Sequence, residues 1–255
     1  MTELEYLQVP AEVESLDSLA DLTNLRQLYL ESYGRNSQEH ILADISGLRN
    51  LTKLTNLYLW MGEVQDLSPL SGLTELTDLN LYGNFQPADL SFLSGLTKLR
   101  TLQLNPVNSN ESSFLTSLKG LENLTELRDL RIYGNARLTD VEPLANLTNL
   151  TTLYLPYSNY SDDTPVLDLS GLSGLTKLQE LYVYGNITTL EPLRNLTALR
   201  SLNIQTDWRH PLDSLEPLSG LEKLNTLYAS YILTGTDQSP VAHVKDLNIN
   251  ERDPY

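Results

Sequence analysis

Cysteine is absent from the 255 residues, which excludes a disulfide framework, a thiolate metal site and a cysteine nucleophile. Histidine is nearly absent: His40, His210 and His243 are the three present. They lie in or beside irregular segments far apart along the chain, so they form neither a metal cluster at helical spacing nor a nucleophile relay. No stretch approaches the roughly 18 consecutive apolar residues of a membrane-spanning helix, so no membrane insertion is expected. Positive charge is scarce, with Lys+Arg 17 against Asp+Glu 33 and a net charge of -16. Binding to nucleic acid needs lysines and arginines that displace counterions from phosphates, so nucleic acid is excluded as a partner and a basic one is favoured. The opening residues Met1–Pro10 show no basic region followed by an apolar one, so the chain as written is expected in the cytoplasm. A secreted or cell-surface location would follow if it were a fragment of a longer precursor.

What is abundant is leucine, in one phrase written again and again. Leu175-Thr-Lys-Leu178-Gln-Glu-Leu181-Tyr-Val183-Tyr-Gly-Asn186 has leucines three, three and two residues apart, so a turning segment passes into a short strand. In that strand Leu181 and Val183 face a core, while Glu180, Tyr182 and Tyr184 face out. Full copies of Leu-x-x-Leu-x-x-Leu-x-Leu or its near equivalents begin at Leu22, Leu51, Leu73, Leu96, Leu124, Leu147, Leu175, Leu196 and Leu221. Partial copies flank them, at Leu4, Leu7 and Val9 and at Val244, Leu247 and Ile249. Eleven strands result, and neighbours about 4.8 Å apart give a sheet about 48 Å across. A period of twenty-odd residues makes the chain one solenoid in which each repeat touches only its neighbours. Its parts are an N-terminal partial repeat over 1–21, nine repeats over 22–232, and a C-terminal partial repeat and tail over 233–255.

Apolar residues three apart precede each strand, as in Leu67, Leu70, Leu73, Leu76 and Leu79. A period of three is not that of an α-helix, and Pro69, Pro143, Pro192 and Pro217 recur there, so short 3₁₀ turns are predicted on the convex side. Asn84, Asn135 and Asn186 close three repeats in the tripeptide Tyr-Gly-Asn and are expected to bond backbone within the turns. The glycines beside them belong to the same turns and cradle no phosphate. Asp162 and Asp163 lack the pattern of a calcium loop. The ends carry partial repeats in place of the polar caps that solenoids use.

The run Asp66-Leu-Ser-Pro-Leu-Ser-Gly-Leu-Thr-Glu-Leu-Thr-Asp-Leu-Asn-Leu-Tyr-Gly-Asn84 resembles the short leucine-rich repeat of the internalin and protein-phosphatase-regulator type. The resemblance covers nearly the whole chain. It implies an α/β repeat solenoid, a right-handed horseshoe with a concave parallel β-sheet, which serves protein recognition without catalysis. Internalins carry a helical cap before the repeats and an immunoglobulin-like domain after them, and neither is written here.

Two features point to where binding occurs. Steps between most copies are 21 to 25 residues, but three are 28 or 29, with the extra residues after the strand: Tyr33 to His40, Asn108 to Ser113 and Ser158 to Pro165. A smaller excursion holds Trp208, Arg209, His210 and Pro211, and all four are expected along one rim. The second feature is the outward columns of the strands. One holds Tyr29, Tyr58, Asn80, Gln103, Arg131, Tyr154, Tyr182, Asn203 and Tyr228; the next holds Trp60, Tyr82, Tyr133 and Tyr184, with Tyr157 and Tyr231 one residue further on. Most of the 14 tyrosines thus gather on one face, where the fold asks only for side chains that meet water. Large rings with polar tips dominate interface hot spots, and Asp78, Asp129, Glu180 and Asp246 stand among them. The expectation is a monomeric, non-catalytic module that takes no cofactor or metal and binds a basic protein, such as an inhibitor or immunity protein. Its alternatives are an internalin-like surface adhesin and a regulatory subunit that positions an enzyme. Tyr29, Tyr58, Trp60, Tyr82, Arg131, Tyr133, Tyr154, Tyr157, Tyr182, Tyr184, Trp208 and Tyr228 are the expected contacts, with Asp129 and Glu180 selecting basic groups.

Overall fold

The structure is a computed structural model, and it describes residues 3–10, 13–31, 42–85, 87–106, 115–134, 136–156 and 165–253. Eleven strands follow in order: β1 (Tyr6–Pro10), β2 (Gln27–Glu31), β3 (Asn56–Glu63), β4 (Asp78–Asn84), β5 (Thr101–Pro106), β6 (Asp129–Ile132), β7 (Thr152–Tyr154), β8 (Glu180–Tyr184), β9 (Ser201–Gln205), β10 (Thr226–Leu233) and β11 (Asp246–Arg252). They form one sheet in sequence order. Every pairing between neighbours is parallel. The chain is a leucine-rich-repeat horseshoe, as its periodicity predicts, with the sheet lining the concave side.

The period-two alternation of each strand sends alternate residues into a continuous leucine core. Leu28, Leu57, Leu79, Leu102, Leu130, Leu153, Leu181, Leu202 and Leu227 form one inward column, each 0 % exposed. Burying such a side chain contributes about 1.5–3 kcal/mol, so the ladder is the main source of stability. At the two ends of the described sheet that column is less covered: Leu7 is half-buried and Leu247 is exposed.

Between strands the chain turns through 3₁₀ segments, as the three-residue spacing predicts; Ser68–Gly72, Glu142–Leu144, Glu191–Leu193 and Glu216–Leu218 each carry proline in the first turn. The residue before each segment but the last is apolar and faces the core, as Ile45, Leu67 and Leu90 do, and before Ser239–Val241 it is Gln238; none makes a side-chain cap. The capping oxygen therefore sits one residue earlier. Asp44, Asp66, Asp89, Asp168 and Asp237 accept the backbone N–H of the serine two residues on, at 2.8 to 2.9 Å. Ser15, Ser117, Thr189 and Ser214 do the same with hydroxyls. These are Asx and ST turns.

Of the Tyr-Gly-Asn tripeptides, two glycines are demanding: Gly83 has φ 118 and an added Cβ would lie 1.9 Å from the Met61 carbonyl, and Gly134 has φ 86 with Pro106 Cγ 2.6 Å away, conformations only glycine adopts readily. Asn186 is buried, and it is its backbone carbonyl that accepts the Leu167 N–H at 2.8 Å. The three long insertions and Asp162-Asp163 lie outside the described residues, apart from Pro165 at the end of one of them. The fourth excursion follows β9 directly.

Candidate functional site

Parallel pairing in register turns repeat positions into columns. Tyr29 pairs with Tyr58, Tyr58 with Asn80, Asn80 with Gln103, Gln103 with Arg131, Arg131 with Tyr154, Tyr154 with Tyr182, Tyr182 with Asn203 and Asn203 with Tyr228. Trp60 pairs with Tyr82 in the next column, and Tyr133 donates its N–H to Leu104 at 2.8 Å. The first column is therefore continuous in space; the second is paired at Trp60 and Tyr82, while β6 and β7 end before it, at Ile132 and Tyr154. Tyr157 lies outside the described residues.

The rings form two islands. In the first, Tyr29 stacks on Tyr58 with centroids 4.7 Å apart and Trp60 on Tyr82 at 5.2 Å. In the second, Tyr154 stacks on Tyr182 at 3.9 Å and 14°. Tyr133 tilts against Tyr154 at 6.1 Å, and the Arg131 guanidinium lies 4.8 Å from the Tyr154 centroid. Rings that stack from strand to strand stand upright on the sheet. Their faces are covered by one another, and what meets solvent is their edges and hydroxyls. Between the islands lie Asn80, buried, and Gln103.

Partial burial raises the phenol pKa of Tyr58, Tyr82 and Tyr184 above the ordinary value. Tyr154 is raised further, first by burial and then by its hydrogen bond with Tyr182. These four hydroxyls are thus neutral donors throughout the physiological range. Carboxylates near them are partly committed within the chain. Asp129 takes Arg131 Nε at 2.8 Å and Nη2 at 3.1 Å, a fork that raises the Arg131 pKa. Asp78 accepts Thr77 Oγ1 at 2.7 Å and Asn56 Nδ2 at 3.1 Å. Glu180 lies beside the second island, close enough to act electrostatically on Tyr154.

Trp208 and Tyr228 stand apart from both islands. Tyr228 is 47 % exposed between Asn203 and Asn248. Trp208 has the guanidiniums of Arg209 at 5.3 Å and Arg252 at 4.9 Å, and Arg209 Nε donates to the buried Asp207 at 3.1 Å. Sequence reasoning missed Tyr6, which extends the first island with its ring 5.6 Å from Tyr29. The signal was present, because Leu4, Leu7 and Val9 place Tyr6 outward, but the first strand belongs to a partial repeat. Among the described residues no three histidine or carboxylate side chains converge to hold a metal ion.

Comparison with known proteins agrees with this geometry. A family profile described as leucine-rich repeats (2 copies) matches residues 125–174. Curated protein sequences yield no match. Among solved structures, an internalin (InlF) of Listeria monocytogenes is 26 % identical, with TM-score 0.55, over 99 % of this chain and 82 % of its own. Internalin C2 of the same species is 21 % identical, with TM-score 0.50, over 98 % and 82 %. A leucine-rich-repeat protein of Leptospira interrogans is 19 % identical, with TM-score 0.60, over 93 % and 64 %. The chain is a leucine-rich-repeat protein, and its fold is that of a protein-interaction module, a class generally without catalysis. Its repeats are of the internalin type. No helix among the described residues is long and apolar enough to cross a membrane.

Proposed function

We propose that this chain binds a protein partner on its concave face, with the two tyrosine islands as anchors and no reaction of its own. The observation that supports this most is the Tyr154–Tyr182 stack beside Arg131 and Tyr133. It is stacked and half-buried before any partner arrives, and placed where the fold requires no aromatic residue. Pre-stacked rings lose little side-chain freedom on binding, so the contact area they offer comes at low entropic cost. Selection for a basic partner is supported by the net charge of -16 and by Glu180; Asp129, held by Arg131, contributes through the pair rather than as an isolated charge. Inhibition of a basic protein is one role this face suits. Surface recognition is the other, favoured by the likeness to the Listeria internalin over nearly the whole chain.

The test is capture from lysate and secreted fraction of the source organism, read by mass spectrometry. Wild type is compared with a Tyr154→Ala, Tyr182→Ala, Tyr184→Ala variant whose circular dichroism is unchanged. A protein held by wild type and released by the variant is the expected result; one retained equally by both removes the second island from the site.

A further inference from the structure

The residue immediately before each strand from β1 to β9 has a fixed structural duty. Its carbonyl accepts two N–H groups of the next repeat, as Arg100 O does from Arg128 at 2.9 Å and Asp129 at 3.1 Å. Where this position is threonine, the side chain adds a third bond to the preceding repeat: Thr55 Oγ1 to Arg26 O at 3.1 Å, Thr77 Oγ1 to Thr55 O at 3.1 Å, Thr151 Oγ1 to Arg128 O at 3.0 Å. Arginine cannot make that bond through a short hydroxyl, yet Arg100 and Arg128 occupy the position in consecutive repeats. Both side chains are exposed, and among the described residues neither has an ion pair or side-chain hydrogen bond. Several other cations are committed, Arg49 to Asp66 at 3.2 Å, Lys98 to Glu75 at 2.7 Å and Arg131 to Asp129 at 2.8 Å; Arg200 is exposed at the same position before β9, but the repeats on either side of it carry Gln179 and Asn225 there, so Arg100 and Arg128 are the adjacent pair. In a chain of charge -16, two adjacent unpaired guanidiniums add like-charge repulsion and no internal contact.

We propose that Arg100 and Arg128 form a pincer, at the strand-entry rim bordering the concave face, for an acidic segment of the partner protein. This goes beyond the concave reading and rests on it only in taking the partner to be a protein. Neighbouring strands are about 4.8 Å apart, and carboxylates three or four residues apart on a helix have Cβ atoms about 5–6 Å apart. Two such carboxylates meet two guanidiniums side by side, each able to form a planar two-bond fork. A phosphate polymer fits less well. Duplex DNA carries a charge every ~1.7 Å and meets the repulsion of the whole chain, including exposed Glu126 two residues from Arg128. Isolated carboxylates on an otherwise neutral or basic partner meet only the pincer.

The probe is an alanine-based helical peptide with two glutamates four residues apart, titrated into the full chain while the arginine Nε–Hε resonances are followed by NMR. Saturable shifts confined to Arg100 and Arg128 are expected. They should vanish with a glutamine version of the peptide and in an Arg100→Gln, Arg128→Gln variant whose amide spectrum is otherwise intact. A Tyr154→Ala, Tyr182→Ala variant should keep them, so failure of the concave site and failure of the pincer are read separately. No saturable shift, an equal response to the glutamine peptide, or tighter binding of an oligonucleotide of equal charge would each overturn the proposal.

Discussion

Tyr154 shows how one side chain links stability, ionisation and recognition. Its ring lies against Tyr182 at 3.9 Å with Arg131 on the other side at 4.8 Å, so its hydroxyl and edge are what a partner meets. Such pairs contribute about 0.5–1.5 kcal/mol beyond area burial, and truncation to alanine should therefore weaken partner binding more than folding. Raised phenol pKa values at Tyr58, Tyr82, Tyr154 and Tyr184 carry a sign. The folded state holds these protons more tightly than the unfolded one, so the stability involved is complete below the unfolded value of about 10. It is lost as pH rises through the folded values. Absorbance titration of the phenols should show a group ionising later than free tyrosine, and Tyr182→Phe should bring Tyr154 down, because the raising hydrogen bond is gone. A single transition at the free-tyrosine position in the folded protein contradicts the upright, half-buried stack.

At the scale of the element, the strand and its 3₁₀ approach have separable supports. Leu153→Ala or Leu181→Ala empties a site that is 0 % exposed and should cost about 2–5 kcal/mol in chemical denaturation. Because each repeat touches its neighbours alone, hydrogen exchange should lose protection first around β6 to β9. Caps act differently. Serine hydrogen bonds hold Asp66, Asp89 and Asp237 below the ordinary carboxylate pKa, so their stabilisation is present above the unfolded value of about 3.9 and disappears as pH falls through the folded values. Melting temperature should fall in that acid window, and an Asp66→Asn, Asp89→Asn, Asp237→Asn variant should be less dependent on pH there. An equally steep acid limb in that variant would assign the effect to other groups. Elements of this kind were legible in the sequence, since leucines at three, three and two encode both the turn and the strand. Asp44, Asp66 and Asp168 escaped notice because a cap is usually sought at the position before the helix, and here a core residue fills it. Ring stacking was not legible either. It depends on how far each side chain leans across the sheet, and identical column positions hold Tyr154 against Tyr182 but leave Tyr228 between asparagines.

Across the whole molecule, charge is sorted by geometry. Carboxylates cap the 3₁₀ turns, tyrosines and fixed polar pairs line the concave sheet, and unpaired arginines stand at the strand-entry rim. A partner that complements this surface has its own polarity, which fixes its orientation as well as its affinity. Rim and face contacts with charged groups should weaken between low and physiological salt, where the screening length falls to about 8 Å, while the tyrosine contribution persists. Calorimetric titration of the captured partner at two salt concentrations measures the split. An affinity that does not change with salt would leave the tyrosines and remove charge selection.

The central claim, that the tyrosine islands are the binding surface, is tested most directly by hydroxyl-radical footprinting of the chain with and without its captured partner. Oxidation of Tyr58, Tyr82, Tyr154 and Tyr182 should slow on binding, while Phe92, which packs against the core from within the convex 3₁₀ turn Ser91–Leu93, keeps its rate. Protection of Phe92 with unchanged tyrosine rates would place the partner on the convex side and contradict the account.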